Sequence, residues 1–141
     1  MIYRNRYAEN DFLSALAVAF AKFLIQNFKH DSAISLAVKE IVSKITDCFH
    51  EYNPDLKSIL KKSGYAEDYI RAKFKEIMGY TPVEFLTDVR IKHACFLIDM
   101  YAGIMPLSEV AERCGFSDYV YFSRKFKMVK GISPREYMKP R

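Results

Sequence analysis

Leu107-Ser108-Glu109-Val110-Ala111-Glu112-Arg113-Cys114-Gly115-Phe116 repeats the pattern of Leu56-Lys57-Ser58-Ile59-Leu60-Lys61-Lys62-Ser63-Gly64-Tyr65 at an offset of 51 residues. Further along, Ile70, Phe74, Gly79, Pro82 and Phe85 match Phe122, Phe126, Gly131, Pro134 and Tyr137 at an offset of 52, so one residue has been inserted in the second turn. Each copy reads as a short helix, a Gly-aromatic turn, a second helix stopped by glycine, and a third helix opened by proline. A short helix, a tight turn and a second helix form the outline of a helix-turn-helix. The turn glycine supplies a backbone angle that other residues resist, and the small Ala111 lets two helices cross closely. One such pattern is common among helical hairpins. Two at a fixed spacing, each with its trailing Gly and Pro, are far more specific.

Outward from the repeat the chain stays helical. Between the units, Pro82 to about Met100 reads as one long helix with a stripe of Phe85, Leu86, Val89, Ile91, Ala94, Cys95, Leu97 and Ile98; Gly103 and Pro106 end the connection. Upstream, a helix is expected from about Ile34 to Tyr52, with Ile34, Val38, Ile41, Val42, Ile45 and Phe49 on one side, until Asn53-Pro54 breaks it. Before that, Asp11 can cap a helix running to about Asn27. Phe12, Leu16, Phe20, Phe23 and Leu24 line one face of it, while alanines, Val18 and Ile25 make the other almost as apolar. Such a helix packs on a neighbour: the 34–49 helix, a further domain upstream, or a second copy. With five Gly and five Pro in 141 residues and half the chain hydrophobic, the expected fold is all-α. It comprises two helix-turn-helix subdomains joined by a long linker helix and preceded by an N-terminal helical arm. The boundaries expected are 1–33 for the arm and 34–141 for the rest, with the first helix-turn-helix at about 55–80, the linker helix at about 82–101 and the second helix-turn-helix at about 107–131.

Several function classes fall away on composition. Cys48, Cys95 and Cys114 lie far apart without a CxxC pair, and His30, His50 and His93 complete no ligand set, so neither a metal site nor a cofactor is expected. The thiols read as buried or idle in a reducing cytoplasm. The first ten residues are polar and basic, unlike a signal peptide. Lys22 and Gln26 interrupt Phe12–Phe28, which is short for a membrane span. No Ser/His/Asp, Cys/His or paired-carboxylate set shares a face, so no enzyme is expected.

The net charge of +5 is unevenly spread: residues 1–50 balance to +1 and residues 51–141 to +4. On the second helix of the later unit, Phe122, Phe126 and Val129 are predicted to face inward. Val120, Arg124 and Lys127 then face outward, flanked by Tyr121, Ser123 and Met128. No acid occurs from Tyr119 to Arg135, a window holding Arg124, Lys125, Lys127, Lys130 and Arg135. A basic face carrying a fork-shaped Arg suits phosphates and guanine edges in a major groove, where a bland reading sees only a solvated helix. In the earlier unit Ile70, Phe74 and Ile77 are predicted to face inward and Asp68, Ala72 and Lys75 outward, flanked by Tyr69, Arg71 and Glu76. Glu67 and Asp68 suit the helix dipole but repel phosphate; Asp68 can alternatively accept from a cytosine amino group.

The run Ser108-Glu109-Val110-Ala111-Glu112-Arg113-Cys114-Gly115-Phe116-Ser117-Asp118-Tyr119-Val120-Tyr121-Phe122-Ser123-Arg124-Lys125-Phe126-Lys127, followed by Lys130-Gly131-Ile132-Ser133-Pro134-Arg135-Glu136-Tyr137, resembles the signature region of the AraC/XylS family of transcription regulators. Arg90-Ile91-Lys92-His93-Ala94-Cys95-Phe96-Leu97-Ile98 resembles the helix joining that family's two subdomains, and the resemblance spans roughly residues 40–139. It implies seven helices in two subdomains, with both recognition helices entering successive major grooves on one face of the DNA. By the same resemblance, contacts to bases and phosphates fall on Asp68, Arg71, Ala72, Lys73, Tyr119, Val120, Tyr121, Ser123, Arg124 and Lys125; the helical wheel adds Lys75 and Lys127. Leu60 departs from the family's small residue at that point, which predicts more widely spread helices in the first unit. Ala72 and Asp68 make that unit the weaker generic binder. Residues 1–40 resemble the helices that close the family's sensor or dimerisation domain. The resemblance implies a cytoplasmic, sequence-specific regulator, more often an activator than a repressor. Its expected partners are promoter double-stranded DNA, RNA polymerase and a second copy through Phe12–Phe28, with no membrane partner. The rival reading is a helical protein-interaction module without DNA binding, which should present an apolar patch rather than Arg124, Lys125 and Lys127.

Overall fold

The computed structural model describes residues 12, 13, 15–20 and 33–140. Among them the chain is helical and without strands: α1 (Ala33–Cys48), α2 (Leu56–Lys61), α3 (Glu67–Met78), α4 (Pro82–Met100), α5 (Leu107–Arg113), α6 (Tyr119–Lys130) and α7 (Pro134–Met138). Residues 12, 13 and 15–20 of the arm are helical too. The expected cap Asp11 and the arm's Phe23, Leu24, Ile25 and Phe28 lie outside the described residues.

Local chemistry starts and stops these helices at the repeated positions. Thr81 caps α4 through a reciprocal box, its hydroxyl accepting from the Glu84 amide while the Glu84 carboxylate accepts from the Thr81 amide, with Pro82 in the first turn. Ser133, Pro134 and Glu136 rebuild half of this box at α7, where the Ser133 hydroxyl accepts from the Glu136 amide at 3.2 Å. Gly79 and Gly131 end α3 and α6 in the left-handed region, at φ 79° and 80°. The residue inserted in the second turn has a visible effect. It places Asp118 at the start of α6, where its carboxylate accepts from the Val120 amide at 2.9 Å; α3 begins at Ala66 with no side-chain cap.

The helices bury two cores that share α4. In the first, Leu16, Val38, Ile41, Val42, Ile45, Phe49, Leu60, Ile70, Phe74 and Met78 pack with Phe85, Leu86 and Val89 from the start of α4. In the second, Val110, Ala111, Cys114, Phe116, Phe122 and Phe126 pack with Ile91, Ala94, Cys95, Leu97 and Ile98 from its remainder. Phe74, Phe85, Phe122 and Phe126 are fully buried, and truncating any one to alanine should cost roughly 3–5 kcal/mol. Leu60 is fully buried in the first core.

One sequence expectation needs correction and another is extended. α1 stops at Cys48 rather than near Tyr52, because the carbonyls of Phe49 and Glu51 turn away from the helix to accept from the Arg90 guanidinium on α4. The arm joins the first core, which contains the anticipated neighbour α1, and it also packs on α4, which was not anticipated. The Phe12 ring lies 5.0 Å from both His93 and Phe96, and the Phe20 ring 4.9 Å from Phe85, so the arm runs antiparallel to α4. The 12, 16, 20 stripe is the face it buries, leaving Leu13 and Val18 exposed.

Candidate nucleic-acid interface

The second helix of each unit presents one face to solvent, and the cores fix which face. On α6, Phe122 and Phe126 are buried one turn apart, which turns Val120, Tyr121, Arg124 and Lys127 outward. Val120 is 62% exposed, a large fraction for an apolar side chain. Ser123 and Lys125 flank this face half-buried, and the Lys125 ammonium stands 5.4 Å over the Tyr121 ring. Tyr119 leans inward, its ring 5.9 Å from Phe122. Val129 departs from the helical wheel: it is 41% exposed instead of buried. The Tyr137 ring from α7 closes the second core against Phe126 at 5.5 Å, and the last turn of α6 runs past that closure. Met128 beside it is also exposed.

Among the described residues, Arg124, Lys125, Lys127 and Lys130 form no ion pair. The Asp118 cap holds the α6 N-terminus in register while its amides add a positive dipole end at the same place.

On α3, Ile70 and Phe74 are buried and Ile77 half-buried, which leaves Asp68, Ala72 and Lys75 outward as expected. The charges behave differently here. Arg71 donates from Nε and Nη2 to one oxygen of Glu67 at 3.2 and 3.0 Å. Lys73 pairs with Glu76 at 3.1 Å and lies 5.9 Å from the Tyr69 ring; the Glu76 carboxylate raises the Lys73 pKa. The Tyr69 ring packs tilted against Tyr65 of the turn, 5.6 Å between centroids. Glu67 is therefore the anchor of Arg71 as well as a dipole residue.

Away from the two helices, Arg90, buried in the middle of α4, joins the end of α1 to the second turn. Its role is invisible in residue periodicity, although an arginine between Val89 and Ile91 in an apolar stripe is itself a signal. Tyr52 crosses the same junction to donate to Glu112 at 3.0 Å. Nearby, His93 is sealed under Phe12 and Phe49, and burial, with the Arg113 and His50 charges, lowers its pKa from 6.5 to about 4. Burial also raises the thiol pKa of Cys95 and Cys114, holding them protonated. Among the described residues no cluster of His, Cys, Asp and Glu could hold a metal ion, and no helix is long and apolar enough to cross a membrane.

Comparison with known proteins agrees with this architecture. A helix-turn-helix domain family model matches residues 59–140, more than half of the chain. An HTH-type transcriptional regulator of Bacillus subtilis, YisR, is 36% identical over 75 residues, 53% of this chain and 25% of the relative. The arabinose operon regulatory protein of Escherichia coli is 30% identical over 100 residues, 71% of this chain and 34% of the relative. Among solved structures, the C-terminal domain of AraT, a response regulator from Geobacillus stearothermophilus, superposes with a TM-score of 0.68 at 28% identity, covering 78% of this chain and 89% of that one. The chain thus spans between a quarter and two-fifths of the length of the first curated relatives it matches. Two helix-turn-helix units on a shared linker helix, matched in sequence and in backbone, show that the chain belongs to the AraC/XylS family and carries its DNA-binding domain.

Proposed function

We propose that this chain binds double-stranded promoter DNA sequence-specifically and regulates transcription as an activator in the cytoplasm, through a helix-turn-helix domain over 34–141 behind an arm over 1–33. The observation that carries the reading is the outward face of α6, whose cations are unpaired among the described residues and whose neighbours include no acid from Tyr119 to Arg135. On this reading Arg124 reads a guanine edge bidentately, Val120 meets a thymine methyl, and Lys125 and Lys127 hold phosphates. Tyr119, Tyr121 and Ser123 supply further contacts to backbone and bases. On α3, Asp68 accepts from a cytosine amino group, Ala72 leaves room for a base methyl, and Lys75 meets phosphate. Arg71 and Lys73 reach DNA only by exchanging their carboxylate partners for phosphates.

RNA polymerase and a second copy of the chain are the further partners. Self-association through Phe12–Phe28 has to use faces other than the Phe12, Leu16, Phe20 stripe, because that stripe packs into the first core and on α4. Sedimentation of the full chain over a range of concentrations should reveal dimers; a monomer throughout removes this partner.

Selection of bound duplexes from a random pool tests the central claim and should enrich one site. If about six phosphates are neutralised, log K for that site should fall with log salt at a slope near −5. A flat salt response or an unenriched pool overturns the reading.

A further inference from the structure

The two cores meet within α4, and Arg90 stands at the border, between Val89 of the first core and Ile91 of the second. Only 8% of it is exposed. Its Nε donates to the Phe49 carbonyl at 2.8 Å and its Nη2 to the Glu51 carbonyl at 2.6 Å. Both carbonyls belong to the segment leaving α1, and Phe49 is a member of the first core. The other side of the guanidinium faces the second unit, with Phe116 of the turn 5.2 Å away. Gly115 closes the joint. A Cβ there would stand 2.6 Å from the Phe49 carbonyl oxygen, 2.8 Å from that of Glu51 and 3.1 Å from Arg90 Nε. The hydrogen bond from Tyr52 to Glu112 spans the same seam at the surface.

Three segments therefore converge on one side chain: the exit from α1, the middle of α4, and the turn that launches α6. Removing a guanidinium from water is costly, and its burial lowers the Arg90 pKa. Arginine suits the position because its planar fork holds two acceptors at a fixed angle, whereas lysine offers a flexible point charge.

We propose that Arg90 is a positioning residue that sets the spacing between the two half-sites, by locking the orientation of α6 relative to α3. This rests on the reading that both helices engage one duplex. Moving one half-site by a single base pair shifts it about 3.4 Å along the axis and turns it by roughly 35° around it. A locked joint cannot follow that movement; a compliant one can.

The test uses the full chain, the duplex enriched by wild type, and versions of it with one base pair inserted or removed between the half-sites. Binding is read by fluorescence anisotropy. Wild type should lose at least about tenfold in affinity on either change, a penalty like that of a mismatched base pair. Arg90→Lys should bind the parent site more weakly yet discriminate spacing by less than about threefold, with base preference inside each half-site unchanged. A structural role alone would weaken every spacing by the same factor, and that result overturns the proposal. Circular dichroism checks that Arg90→Lys keeps its helices. Should it not, Tyr52→Phe combined with Glu112→Gln loosens the seam from the surface and should narrow the spacing ratio at least about twofold; an unchanged ratio overturns the proposal. A sharp ratio shared by wild type and variant overturns it alone, whereas a wild-type pool without any enriched duplex overturns the DNA-binding reading with it.

Discussion

α3 and α6 are each 12 residues long, each ends on a left-handed glycine, and each buries a phenylalanine at the corresponding place in its core. Their charges nevertheless do different things. On α3 the cations Arg71 and Lys73 are tied to Glu67 and Glu76, while on α6 Arg124, Lys125, Lys127 and Lys130 meet no acid on their own helix. Their entries differ as well: α6 has the Asp118 cap, and α3 has none. Duplication preserved the backbone because the core residues and glycines specify it. The outward positions, free of packing, diverged until one helix became a cationic grip and the other a nearly self-neutralised surface.

The largest expected contrast between the units lies in their turn glycines. Gly64 and Gly115 both have positive φ, so alanine strains either by roughly 1–2 kcal/mol. Gly64 has open space around it, whereas Gly115 abuts the Phe49 and Glu51 carbonyls. Thermal unfolding should therefore show Gly115→Ala costing about 3 kcal/mol or more and Gly64→Ala about half that or less. Equal losses would mean the second turn is not pressed against α1.

The next effect comes from His93, which ties the arm to α4 and has no counterpart beside the first unit. Its folded pKa of about 4 lies below the ordinary 6.5. Stability from keeping it neutral is fully present above pH 6.5. It declines as pH falls toward 4, because the unfolded chain takes up the proton first, by as much as roughly 3 kcal/mol. Denaturant melts of His93→Phe should lose most of this slope between pH 6.5 and 4; an identical slope would assign it to carboxylates instead.

DNA affinity should separate the recognition helices more gently. Arg124→Ala is expected to cost roughly 1–3 kcal/mol and to relax preference at one base pair, while Lys127→Ala weakens all sequences alike. Arg71→Ala, already committed to Glu67, should cost under about 1 kcal/mol. A reversed order in anisotropy titrations would make α3 the grip. The smallest contrast is at the caps: Asp118→Ala should destabilise by about 1 kcal/mol, and Ala66→Ser should stabilise by up to about that much. A neutral Ala66→Ser would show that the α3 start cannot accept a capping geometry.

Much of this was legible from local chemistry. The Gly64/Gly115 and Gly79/Gly131 pairs, the trailing prolines and the offset change from 51 to 52 mark the helix ends and the inserted residue, since backbone angles and caps act over a few residues. The Phe12, Leu16, Phe20 stripe was equally readable as a buried face. Its contact with α4 was not, because α4 is apolar on several sides and periodicity does not say which side an arm will cover. The early end of α1 and the closure of the second core before Val129 were hidden for a related reason. Both depend on residues about 40 and 10 positions distant, Arg90 and Tyr137. On the recognition helices the outward residues could be read from the wheel. The pairing of Arg71 with Glu67 lay within i,i+4 reach, yet only the folded geometry distinguishes a paired cation from a free one.

The shared helix α4 has a consequence for how the molecule comes apart. Residues 85–89 belong to one core and 91–98 to the other, without a hinge residue between them. Melting either core strips packing from half of that helix, and the remaining half is too short to persist alone in water. Two units that look like beads on a string should therefore unfold in a single cooperative transition, with calorimetric and van't Hoff enthalpies equal.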